Sequence, residues 1–530
     1  MWRKFSEMRA VILFWAILER RWMPDSYSRL AFFVPILILG AFVFLEISSF
    51  SETRHPIRFG DTKVFERVSR SDVSSLDFYT NGRTFFTPLI YKILDKDKTA
   101  VFVFQSAASV LCWFFFGLVV AREIKNRFLR YALWAAICLY SLAIPINQWD
   151  GVLLSESLSV SVTLLTFGLS LVLAKQIGAG CSGLKNWVLF LVWTLSCFFL
   201  CGTKDTNIYI IWLLALLLIV WGIVGLGFGA YRKRRLSEAV KRHNQLPAAV
   251  AVLLILGVFG NWTMSKSVRW QTPLLNVILA RVLTNDSVYE RWASSYQLPR
   301  NPKVERKRGR KAWDSYNKKR NIRDEMKRDN SELQDVYVWL LSKGMKSYQH
   351  YLLCDNLWGA LKDAQEAFEQ EVNETNDSYG KGISGVSAWT TALSPYIYPR
   401  IPNPSLWFVL ILVWCLLSAA FSRDNLLPWT VAVISAAVCI QAFVGYHGDA
   451  AEVSRHMFMA GILFRLALLI GFAGLASDTI KAAYWIRNVR SRRAEGQDKT
   501  EMDVGRSLGC VDGDVLGYQW DGDKIITNQD

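Results

Sequence analysis

The chain lacks the motifs by which most enzymes announce themselves. It has no P-loop, no HExxH pair, no GxSxG elbow and no Rossmann glycine run. It has no CxxC pair, which removes the usual zinc and redox readings. Its nine cysteines form no disulfide framework: Cys112, Cys138, Cys197, Cys201, Cys415 and Cys439 lie in apolar blocks, and the long polar insert holds only Cys354. There is no internal repeat and no low-complexity array. The N-terminus shows no cleavable signal pattern. Its first apolar run, Val11–Leu18, is too short to span a bilayer and is flanked by charge, so it reads as an interfacial helix on the cytoplasmic face.

What is present is apolar. The chain of 530 residues is 52% hydrophobic, more than a soluble enzyme of this length carries in uninterrupted blocks. Its aromatic content of 14%, with 22 tryptophans, suits many membrane–water interfaces. The net charge of +16 does not point to nucleic acid, because most basic residues sit in short loops between apolar blocks, where they orient helices.

Runs long enough to cross the hydrocarbon core lie near 30–50, 99–121, 129–147, 152–174, 187–203, 206–228, 246–264, 405–421, 426–446 and 455–477. They predict an all-α polytopic membrane protein with about ten transmembrane helices. The basic stretches MWRK, REIKNRFLR, YRKRRLSEAVKR and IRNVRSRR fall on one side, which places both termini in the cytoplasm. The expected organisation is an amphipathic cytoplasmic N-terminus (1–29), a first bundle of about seven helices (30–264) with an external loop at 51–98, an external, mainly helical insert (265–404), about three further helices (405–477) and a cytoplasmic, disordered tail (478–530). Within the insert, residues 274–298 read as helix. The lysine-rich stretch 301–330 reads as mobile or lying on headgroups, and a further helix starts at a capping-box-like Ser331.

Ionisable residues cluster at the expected outer surface. In the first external loop, Asp61 follows Gly60, with Glu66 five residues on and Arg83 and Pro88 before the next run. A carboxylate there can take a proton from an acceptor hydroxyl, although a lone loop acid is more often solvated or a helix cap. In the second cluster Asp150 closes the third run, and Glu156 is expected about one and a half turns into the next. An acid at that depth needs a partner. In the third, Lys204 and Asp205 sit at a hairpin tip, either paired with each other or with Lys204 facing a phosphate. In the fourth, His447, Asp449, Glu452, Arg455 and His456 crowd the loop between the last two runs. The planar fork of Arg455 suits a phosphate. The two histidines have no third nearby, so no metal is expected on them.

Taken in order, these stretches resemble the GT-C superfamily of integral membrane glycosyltransferases, and bacterial dolichyl-phosphate-mannose-protein mannosyltransferase-like proteins within it. The matching pieces are GDTKVFE with Asp61, the R-x4-P element of Arg83 and Pro88, WDGVLLSESL with Asp150 and Glu156, VYVWLLSKGMKSYQHYLLCDNLWGAL, and the GD..E..RH stretch of Asp449, Glu452, Arg455 and His456. The pattern covers roughly residues 30–477.

The resemblance implies a GT-C-like fold and transfer of a sugar from a polyprenyl-phosphate donor to an acceptor hydroxyl on a glycan, lipid or protein. The site would lie on the periplasmic or extracellular face of a plasma (inner) membrane. It implies inverting attack with Asp61 as general base, Arg455, Lys204 and Arg83 on the donor phosphate, and Glu66, Asp150 and Glu156 in support. Asp205, His447, Asp449, Glu452 and His456 remain outer-loop candidates. No cofactor is required and a divalent cation is compatible, but where the family usually has a second acid beside the first, this chain has Thr62 and Lys63. An O-antigen-polymerase or ligase-like enzyme would rest instead on Arg455 and His456. A flippase-type transporter would show mid-membrane charges and a two-half symmetry, neither of which is seen here.

Overall fold

The computed structural model describes residues 29–49, 56–81, 83–179, 183–231, 245–267, 269–317, 320–328, 331–373, 388–421, 426–450 and 453–494. The N-terminal interfacial helix and the tail beyond 494 lie outside the described residues. The chain divides into two units, residues 1–474 and 475–530, and the site belongs wholly to the first.

The protein is all-α. Among the described residues, seven helices are long and apolar enough to cross a membrane: Lys98–Ala121, Glu156–Ile177, Leu184–Thr203, Asp205–Ile223, Gln245–Lys266, Leu427–Gly448 and Arg455–Ala482. This corrects the expectation of about ten. The run at 129–147 is broken: helix Arg127–Ser141 stops and a new turn starts at Ile144, bent by 57°, so the pair makes an eighth crossing only if counted as one. Pro145 fits the break, since it has no N–H to donate back to the preceding turn. Two further apolar stretches, Phe33–Ser48 and Pro404–Ala419, belong to helices Arg29–Ser49 and Pro404–Phe421. The first carries Glu46, a buried acid bonded by Asn147 at 2.8 Å.

The bundle buries Trp113, Trp134, Trp149 and Trp193. Its helices leave Leu191, Ile223, Ile255 and Leu416 outward, as helices bathed in lipid do. Exposed Trp187, Trp262 and Trp429 lie near helix ends, where indole rings favour the interface.

The insert has its own core. Leu274, Ile278, Trp292, Met326 and Trp339 pack together, with Phe443 and Ala450 against them from the end of helix Leu427–Gly448 and the turn beyond. The lysine-rich stretch is not loose: Val304, Ala312, Ile322 and Met326 bury themselves in this core. It forms short helices at Pro302–Glu305 and Ile322–Met326 and a small hairpin of Ser315–Asn317 with Arg320–Asn321. Its charges point outward except Glu325, which is buried and pairs with Arg320 at 3.2 Å, while its sparse apolar residues anchor it. The following helix begins at Gln334, and Ser331 caps only locally, its hydroxyl accepting the Leu333 N–H at 3.2 Å.

Candidate functional site

Asp61 stands in the first turn of helix Gly60–Val68, and that turn is anchored twice. The Thr62 hydroxyl accepts the Phe59 N–H at 3.1 Å and donates to the Leu153 carbonyl at 3.0 Å. Just upstream, the Ile57 N–H donates to the Gly151 carbonyl at 2.9 Å, and the Leu153 N–H donates to the Ile57 carbonyl at 3.0 Å. The loop at 56–62 is thereby stitched to the turn that precedes Glu156. Tyr91 donates to the same Leu153 carbonyl at 3.4 Å; burial, and then the Glu66 carboxylate, pushes its phenol up, so it stays a donor.

Glu156 is the first residue of helix Glu156–Gly178. It therefore lies at the helix mouth rather than one and a half turns inside, and there the helix dipole favours a carboxylate. Arg455, at the start of the last long helix, donates through Nε to Glu156 Oε1 at 2.6 Å and through Nη1 to Asp61 Oδ2 at 3.1 Å. Arg83 donates to Asp61 Oδ1. Lys204 stands 3.9 Å from Glu156 Oε1.

At least one residue from each cluster thus meets the others at one end of the bundle, in the order Arg83, Asp61, Arg455, Glu156, Lys204, with Asp61 and Arg83 both from the first. Three cations face two carboxylates, which leaves the site an excess of positive charge. The chain of contacts runs from sealed to open: side-chain exposure is 1% at Glu156, 10% at Arg455, 21% at Asp61 and 37% at Arg83. Glu156 Oε2 is buried and accepts no hydrogen bond among the described residues. An acceptor this deep, left open beside an ion network, can take a hydroxyl or a water.

The other candidates make contacts of their own, and of them His456 adjoins the network beside Arg455. Glu66 pairs with Lys98 at 3.7 Å. Asp150 is buried and accepts the Ser157 hydroxyl. Asp205 does not pair with its neighbour Lys204; it meets Arg269 at 3.0 Å. His447 is held by the Ala360 carbonyl at 2.9 Å and by Tyr348, whose hydroxyl donates to the His447 carbonyl at 2.8 Å. Asp449 accepts from Asn276 at 2.9 Å and stands 3.7 Å from His456 Nε2. Glu452 lies outside the described residues.

Among the described residues no three His, Cys, Asp or Glu side chains gather as a metal would require. The donor chemistry agrees: both Asp61 oxygens already face guanidinium groups, which would repel a divalent ion. No step is therefore assigned to a metal.

Sequence reasoning missed the insert's grip on this end of the bundle. Asn276 bridges Asp449 and the Ala312 N–H, at 2.9 and 2.8 Å. Arg281 donates to the Tyr446 carbonyl at 2.7 Å and stacks 3.6 Å over the Tyr446 ring. Arg269 and Tyr348 were missed as well. Nothing local marks any of these residues, because each partner is remote in the chain.

No family model matches the chain, and no curated protein matches it. Among solved structures it is similar to the archaeal oligosaccharyltransferase AglB from Archaeoglobus fulgidus in complex with an inhibitory peptide and a dolichol-phosphate, with 10% identity and a TM-score of 0.40 over 87% of this chain. The chain spans about half the length of that protein, 52%. A likeness this faint assigns nothing to the chain.

Proposed function

We propose that this protein is a membrane glycosyltransferase that moves a sugar from a polyprenyl-phosphate donor to an acceptor hydroxyl at the outer membrane face. The observation that carries the reading is the ion network: a part-exposed carboxylate, Asp61, held by Arg83 and Arg455, with Lys204 on the far side of Glu156, at one end of a lipid-bathed bundle. The chemistry needs a base for the acceptor and cations for a lipid phosphate, both where the hydrocarbon meets water.

In the proposed step the acceptor hydroxyl gives its proton to Asp61, its oxygen bonds to the anomeric carbon, and the bond from that carbon to the phosphate oxygen breaks. The electron pair leaves on the lipid phosphate. Asp61 must first release one oxygen. Arg83, the most exposed of the cations, is the partner to let go, turning from Asp61 Oδ1 to the donor phosphate. Arg455 keeps hold of Asp61 and Glu156 together, and Lys204 adds charge at the sealed end. A ligase-like reading is favoured by one observation, the Asp449–His456 contact adjoining Arg455.

The test is sugar transfer by the purified full chain in lipid nanodiscs, using a panel of polyprenyl-phosphate sugars and a crude membrane acceptor. Transfer from one of these donors, with release of polyprenyl phosphate, is expected. Transfer only from a polyprenyl-diphosphate glycan would favour the ligase-like reading and displace this one.

A further inference from the structure

Away from the ion network, the insert carries an open surface cleft of about 320 Å³ lined mainly by polar residues. Tyr296, Gln297, Ser342, Lys343, Lys346 and Ser347 face it. That volume suits one or two sugar rings.

The walls are built from irregular backbone. Gln297 has φ +59°, a left-handed conformation that a side chain other than glycine adopts at a cost. Ser342 and Lys343 belong to a π-helical stretch, Leu340–Gly344, and a second one, Tyr351–Asp355, follows in the same run. Such π stretches recur at functional sites.

Neighbouring residues, of which Asp355 lies in the second π stretch, hold Tyr296, and the His350 and Tyr351 rings lie 6.1 and 6.4 Å from its own. Its carbonyl accepts the Trp339 indole N–H at 2.8 Å, its hydroxyl donates to the Asp355 carboxylate, and its ring packs edge-on to Trp292 at 5.7 Å. Burial, followed by the Asp355 hydrogen bond, pushes the Tyr296 phenol up, so it stays neutral and fixed. An aromatic ring immobilised at a cleft of hydroxyls and an amide is the pairing that carbohydrates need, C–H faces on the ring and hydroxyls on the polar rim. Lys343 donates to Gln297, which leaves the cleft a second ammonium, Lys346, exposed on the wall.

We infer that this cleft is a binding site for an acidic saccharide, a sugar ring seated on Tyr296 with its carboxylate or phosphate on Lys346. The site goes beyond the transfer reading and does not need it, because binding is measured without turnover. It is also joined to the bundle: Tyr348, one residue past Ser347, donates to the carbonyl of His447.

Calorimetric titration of the full chain in nanodiscs tests it, with oligogalacturonate, a neutral malto-oligosaccharide and inorganic phosphate as the probes. Oligogalacturonate should bind, and Lys346→Glu should weaken it about tenfold or more, the scale of a charge-assisted contact. Lys346 is exposed, so this variant keeps its fold. Tyr296→Phe should bind more weakly as well, since its ring loses the Asp355 tether. Equal binding by wild type and Lys346→Glu would overturn the inference. So would equal binding of the neutral saccharide, or of phosphate as tightly as oligogalacturonate.

Discussion

Glu156 sets the terms for its neighbours. An acid with 1% of its side chain exposed stays ionised only while cations hold it, and Arg455 at 2.6 Å is the nearest. Arg455→Met should therefore cost about 3–5 kcal/mol, the scale of breaking one partner from a buried pair, and lower the Tm of the purified protein. Arg455→Lys keeps the charge but loses the fork that reaches Asp61 and Glu156 at once, so it should lower both Tm and transfer. Wild-type Tm and transfer in Arg455→Lys would remove the double-bridge role. At this scale the sequence was half legible. It marked Asp61, Arg83, Glu156, Lys204 and Arg455 as residues with reason to be there. It could not pair them, because neighbours in the chain point apart: Lys204 is extended while Asp205 opens a turn, so one meets Glu156 and the other Arg269.

Elements supply the convergence. Each network residue lies at or near a helix end, so the site depends on how closely helices pack there. At Gly202 an added Cβ would fall 2.5 Å from the Phe85 ring, and the flanking Thr84 hydroxyl donates to the Thr203 carbonyl at 2.8 Å. Gly202→Ala should push Phe85 off helix Leu184–Thr203, shift Arg83 and Lys204 apart, and cost about 1–3 kcal/mol. Thermal unfolding of the variant measures this, and an unchanged Tm would mean the contact is looser than drawn. Apolar runs gave the helices clearly, since crossing length and hydropathy are local properties. They did not give the break at Pro145, the helix start at Glu156 or the fold of residues 301–328. Runs of charge conceal a small core when its few apolar residues, such as Val304 and Met326, are spaced irregularly.

On the scale of the whole molecule, the network gathers the helix ends at 156, 204 and 455 on one side, with the insert packed over the same end. The basic turn at 122–126 connects helices Lys98–Ala121 and Arg127–Ser141 at the opposite end. On the proposed orientation, with the basic loops in the cytoplasm, site and insert would lie outside together. Exposed Cys354 reports on this without any added label site. An impermeant maleimide applied to intact cells should modify wild-type protein and leave Cys354→Ser unmodified. Modification of the wild type only after lysis would invert the topology and remove the site from the outer face.

The central claim is that Asp61 takes the acceptor proton, and the Asp61→Asn variant tests it most directly. The variant keeps the shape of the side chain and removes the base. Its Tm is measured first, to show that the Arg83 and Arg455 contacts have not collapsed. With the donor that the wild type uses, a folded Asp61→Asn should transfer sugar slower by about 10²–10⁴, the contribution of a positioned general base. Transfer at the wild-type rate by a folded Asp61→Asn would contradict the account and leave the network a structural clasp rather than a catalytic one.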